Sequence, residues 1–157
     1  MSDKRISIPQ AAPKGYATLV AVHTYLEGSG LPHELMELVK IRASQINGCA
    51  FCLDMHSKDA RKHGISQQRL DVLAGWRDSP AFSDAERAAL GWTESLTSIA
   101  LTNAPDADYQ PLEKHFSPKE IADLTMLVGM INLWNRIGVG MRNQHPLDRH
   151  EPAHAAA

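Results

Sequence analysis

The strongest constraint on this chain is a run near its C-terminal end. From about residue 118 to about residue 142, apolar side chains such as Ile121, Leu124, Leu127, Val128, Ile131 and Ile137 stand on nearly every side of a helical projection. Ser117-Pro118-Lys119-Glu120 opens the run as a capping box, in which the serine and the glutamate three positions on satisfy each other's exposed amides. A helix that is apolar all round must be covered all round. One domain of 157 residues offers few places to hide it, so the run predicts a bundle that completes its cover by associating with further copies. The run is not read as a membrane span, because Asn132, Asn135 and Arg136 lie near its middle.

The rest of the chain points the same way. Ala (20) and Leu (16) far outnumber Val and Ile (15 together), and apolar residues recur at helical rather than alternating spacing, which predicts an all-α fold. Residues 1–15, with Pro9 and Pro13, read as an extended N-terminal arm, residues 16–145 as a single helical domain, and residues 146–157 as a mobile tail. Within the domain, Tyr16, Leu19, Val20, His23 and Leu26 form one amphipathic stripe that Gly28 and Gly30 end. Pro32 sits at the start of a second helix closed by Asn47-Gly48, and a third runs from about Cys49 to Gly64. Ser66 caps a short helix through Leu73, and the capping box Ser83-Asp84-Ala85-Glu86 opens another that reaches about Thr102. A net charge of -2 excludes a nucleic-acid binder led by basic charge. The N-terminus lacks the apolar run of a secretory signal, which predicts a cytoplasmic, reducing location. Structural disulfides are rare there, so two cysteines three residues apart need another explanation.

That explanation lies in the stretch from Glu37 to His56, whose skeleton is a glutamate, eleven residues, then C-x2-C-x3-H. At about 100° per residue, Cys52 lies about 60° from Cys49 and His56 about 20° from it, so the three side chains share one helical face. Placing Cys49 just after Gly48 puts the pair in a first turn, where unpaired amides and the helix dipole favour thiolate. His56 is about 6 Å along the axis from Cys52 and about 10 Å from Cys49, so it is Cys52 that it can serve as proton acceptor. Glu37 belongs to the preceding helix; a fold-back at Asn47-Gly48 would let its carboxylate orient His56. A zinc site built from Cys49, Cys52, His56 and His63 would span about 21 Å of one helix, too far for ligands of a single ion, so a redox pair is preferred. No signature of a metal, flavin or haem site is visible. His23, His33, His63 and His115 read as surface or otherwise satisfied residues, and Trp134-Asn135-Arg136 as structural hydrogen bonding.

On Glu37, Cys49, Cys52 and His56 at this spacing, and on the run Ile131-Asn-Leu-Trp-Asn-Arg136, the sequence resembles the alkylhydroperoxidase D (AhpD-like) family of the carboxymuconolactone decarboxylase superfamily. The resemblance covers roughly residues 16 to 142. It implies an all-α fold assembled into trimers or hexamers and a thiol-dependent peroxidase, with Cys52 attacking, Cys49 resolving, and Glu37 and His56 as the proton relay. Where the best-known members carry a second histidine between the cysteines, this chain has Phe51. The decarboxylase branch lacks the cysteine pair, so the resemblance points away from lactone decarboxylation. The implied partners are a hydroperoxide and a reducing dithiol such as a dihydrolipoyl group, with no nucleic acid and no membrane. Two other readings use the same atoms: a disulfide reductase or redox adaptor for another peroxidase, and a non-enzymatic oligomer in which the pair is a redox switch.

Overall fold

Both capping boxes form. In the computed structural model, which describes residues 3–147, Ser83 and Ser117 each accept from the amide of the glutamate three positions on, and each glutamate returns a bond to the serine amide. They open α6 (Asp84–Thr97) and α9 (Pro118–Gly140), among helices α1 (Ile8–Ala11), α2 (Pro13–Glu27), α3 (His33–Asn47), α4 (Ala50–Lys62), α5 (Gln67–Asp71), α7 (Ile99–Thr102) and α8 (Asp106–Glu113). The described residues contain no strand, and the chain is all-α.

Several boundaries differ from the sequence reading. The expected arm is helical from Ile8, because Pro9 and Pro13 both sit in first turns, where a missing N–H costs nothing. Helix α5 stops at Asp71 and continues as a 3-10 turn over Leu73–Gly75. The helix expected to reach Thr102 breaks at Ser98, and its continuation α7 is closed by Asn103 in a left-handed conformation. Helix α8, to which the sequence reading assigns no element, carries Pro111 within it. The expected tail falls outside the described residues from position 148 onward.

Helix α3 occupies the centre, packed against α4, α6 and α9. One of its sides joins Leu35, Met36 and Val39 to Leu124, Leu127 and Val128 of α9. The other joins Leu38 and Ile41 to Ala60, Leu73 and Leu90. With apolar groups committed on both sides, the polar residues of its inner turns, Glu37, Lys40 and Ser44, are buried too. Helix α9 also finds more cover inside one chain than its sequence suggests. Ile121, Leu124, Leu127, Val128, Met130 and Ile131 are buried, while Ala122, Met126, Gly129, Arg136 and Val139 are exposed. Helix α2 is the less covered of the two, with Leu26 as its buried residue and Val20, Val22 and Tyr25 exposed.

Candidate active site

The turn between α3 and α4 sets the site. Gly48 adopts φ 65° and ψ 33°, a left-handed closure that glycine reaches without a Cβ penalty. It reverses the chain so that α4 runs back along α3. An amide network fixes the turn to α9: Asn47 Nδ2 donates to Asn132 Oδ1 and Asn135 Oδ1, both at 2.9 Å, and the buried Asn135 donates to Ser44 Oγ at 2.9 Å. Asn135 therefore has the structural role expected of it, while Arg136 is exposed and donates back to the Asn132 carbonyl.

Cys49 is the N-cap of α4, and its sulfur lies 3.4 Å from the backbone N–H of Cys52. The two cysteines are joined in a disulfide, with their Cα atoms 5.3 Å apart. Helix α9 passes directly over it at Gly138. A Cβ there would stand 2.8 Å from Cys49 Sγ and 3.5 Å from Cys52 Sγ, so the absence of a side chain is what permits the approach.

The sulfurs face different surroundings. A cavity of about 720 Å³ is lined by Cys52 and His56 together with Phe51, Met55, Ile131 and Trp134, and Cys49 stands outside that lining, 1% exposed. Tyr16 packs edge-on against Trp134 at 5.6 Å between ring centres, closing the wall on the α2 side. Phe51, where a histidine was the comparison residue, thus contributes apolar wall rather than a proton-carrying group.

His56 is buried and its Nδ1 lies 2.9 Å from Glu37 Oε2, so the fold-back brings the carboxylate and the imidazole together. With that nitrogen donating to the carboxylate, Nε2 is left as the ring's proton acceptor. Lys40, one turn along α3, donates to Glu37 Oε1 at 2.9 Å and to Glu27 Oε1 of α2 at 2.7 Å. Burial acts to raise the Glu37 pKa, but the His56 hydrogen bond and the Lys40 charge outweigh it, so the carboxyl is held below its ordinary value. His23 of α2 also lines the cavity and lies 3.9 Å from Glu27. Burial and the Lys40 charge lower its pKa, so this imidazole is biased toward the neutral form.

Lys40 has no part in the sequence reading, and His23, read there as a surface or otherwise satisfied residue, lines the cavity instead. A lysine three positions after a glutamate reads as an ordinary solvated helix pair; its second partner, Glu27, comes from another helix. His23 lies on the helical stripe of Tyr16, Leu19 and Val20, and that was the signal available for its inward position. Among the described residues no three or more His, Cys, Asp or Glu side chains converge as metal ligands, and no helix is long and apolar enough to cross a membrane.

The carboxymuconolactone decarboxylase family model matches residues 12–95. An uncharacterized protein of Bacillus subtilis, YdfG, is 38% identical over 141 residues, spanning 90% of this chain and 96% of that one. A crystal structure from Agrobacterium tumefaciens, of a protein of unknown function suggested to be an antioxidant defence protein AhpD, superposes with a TM-score of 0.90. Its identity is 46%, over 93% of this chain and 100% of that chain. The debrominase Bmp8 shares the fold at a TM-score of 0.78 and 17% identity, over 86% of this chain and 73% of its own.

Proposed function

Because the chain belongs to the carboxymuconolactone decarboxylase family, and within its AhpD-like group carries a cysteine pair beside a buried histidine, we propose that it is a thiol-dependent peroxidase acting on organic hydroperoxides. The observation that carries this reading is the asymmetry of the dithiol. Both cysteines are buried, but Cys52 lines a largely apolar cavity with His56, whereas Cys49, at the helix N-cap, stands outside the lining.

In the reduced protein, His56 Nε2 accepts the Cys52 proton while Glu37 steadies the resulting imidazolium. The Cys52 thiolate attacks the distal peroxide oxygen. The O–O bond breaks, sulfur is oxidised to sulfenic acid, and the departing alkoxide takes a proton and leaves as an alcohol. Cys49, whose thiolate is favoured by the helix N-terminus and the Cys52 N–H, then attacks Cys52 Sγ. The S–S bond forms as the sulfenic oxygen departs as water. A dithiol such as a dihydrolipoyl group reverses the bond by exchange, becoming a disulfide itself while both cysteines regain their protons. The apolar wall supports an organic rather than an inorganic peroxide.

The test is consumption of hydrogen peroxide and of a bulky organic hydroperoxide by purified protein, coupled to a panel of dithiols and repeated with each cysteine changed. Cys52→Ser is expected to abolish consumption. Cys49→Ser is expected to permit one oxidation per chain and to leave a sulfenic acid on Cys52 that a dimedone-type probe labels. Label on Cys49 instead, with Cys52→Ser still reacting once, would favour the reductase or adaptor reading, in which the N-terminal cysteine forms the mixed disulfide. Reversible oxidation with no turnover would favour a redox switch.

A further inference from the structure

Lys40 is 3% exposed, borders the cavity that Cys52 lines, and lies between two carboxylates. Burying an ammonium is costly unless it is fully paired, so a chain that needed only to fill this space would favour an apolar residue. Here the ammonium divides itself between the buried Glu37 on its own helix and Glu27 of α2, whose side chain is 35% exposed. Glu27 in turn has His23 at 3.9 Å and His33 at 3.7 Å. The charged and titratable groups around Glu37 are therefore Lys40 from α3, His56 from α4, and Glu27 and His23 from α2.

We propose that Lys40 and Glu27 are positioning residues that act as a two-ended electrostatic brace on the Glu37–His56 pair, setting the pH range over which Cys52 is reactive. Lys40 holds Glu37 ionised and fixes its Oε1, so that Oε2 remains committed to His56. Glu27 moderates that hold by claiming part of the same ammonium. The two ends therefore have opposite effects on one carboxylate. Protonating Glu37 removes the negative charge that steadies the imidazolium, and Cys52 reactivity falls with it. The position of the acid limb of Cys52 reactivity thus depends on how firmly Glu37 is held ionised and against His56. The role in peroxide turnover rests on the peroxidase reading above; the effect on the thiol does not.

The experiment measures the rate of Cys52 alkylation by iodoacetamide against pH in the Cys49→Ser background, where one thiol reports. Lys40→Met removes the charge that favours ionised Glu37 and is expected to move the acid inflection up by about one pH unit. Glu27→Gln leaves Lys40 with Glu37 as its one carboxylate and is expected to move the inflection down. Lys40→Arg should return it toward the parent position. Inflections that stay in place, or move in the same direction in Lys40→Met and Glu27→Gln, overturn the brace. If circular dichroism shows Lys40→Met to be unfolded, Glu27→Gln at the accessible end decides alone: a downward shift supports the brace, and no shift or an upward one overturns it. Hydroperoxide consumption by the wild-type protein is followed alongside. Opposed alkylation shifts without consumption would sink the peroxidase reading and leave the brace standing, and consumption without the shifts would do the reverse.

Discussion

At the scale of single residues, the contrast is between side chains whose partners share a helix and those whose partners do not. Cys49, Cys52 and His56 fall on one face of α4 by arithmetic alone, so their proximity was legible in the sequence. Glu37 was legible as a candidate, but its 2.9 Å contact with His56 depends on the left-handed Gly48 and on the amide network at Asn47. Lys40 was not legible in this role, because its second carboxylate arrives from α2. In the proposed cycle, His56→Ala should slow the first oxidation of Cys52 by about 100-fold to 10,000-fold, as for a lost general base, and Glu37→Gln by less. Stopped-flow thiol oxidation checks both. Glu37 also predicts a pH dependence of stability. Its carboxyl titrates lower in the folded chain than in the unfolded one, so it contributes stability that is present above the unfolded carboxylate pKa and lost as pH falls through the lowered folded value. Urea midpoints of the wild type and Glu37→Gln should converge as the solution is acidified through that window; a constant difference would contradict this.

At the scale of elements, capping chemistry was the most readable signal, and prolines the most misleading. Ser83-x-x-Glu86 and Ser117-x-x-Glu120 mark real helix starts. Pro9 and Pro13 begin helices where the sequence suggests an extended arm. How two helices approach each other was invisible to such rules. Gly138 shows why: its value lies in what it lacks opposite Cys49, a relation that spans most of the chain. On an open helix surface, alanine would be favoured over glycine by about 1 kcal/mol. Here Gly138→Ala should destabilise the oxidised protein by about 1–3 kcal/mol, since a bridged sulfur cannot rotate out of the way. The reduced protein, whose Cys49 thiol can turn aside, should lose less. Thermal melts of both redox forms of the variant and wild type measure the difference, and equal losses would count against the steric account.

At the scale of the whole molecule, the all-α architecture follows from composition and periodicity, but the reason first given for association needs refinement. Helix α9 is largely covered within one chain but leaves Ala122, Met126, Gly129 and Val139 exposed, and α2 leaves Val20, Val22 and Tyr25 at the surface. We expect a trimer or hexamer that uses these apolar surfaces. Light scattering at micromolar concentration checks the size, and Val22→Glu, which places a charge on α2 away from the cavity lining, should lower it. A monomer in the wild type would remove this expectation. The sequence could signal unsatisfied apolar surface but not which helix carried it, because that depends on how much of α9 the central α3 covers.

That Cys52 lines the cavity and Cys49 does not also has a kinetic consequence. In the proposed cycle, peroxide and reductant both work on Cys52, the cysteine that lines the cavity. The two half-reactions must alternate. Steady-state rates should therefore give parallel lines in double-reciprocal plots, and an excess of either reactant should inhibit by occupying the form of the protein that the other one needs. Intersecting lines would mean instead that both can be held at once.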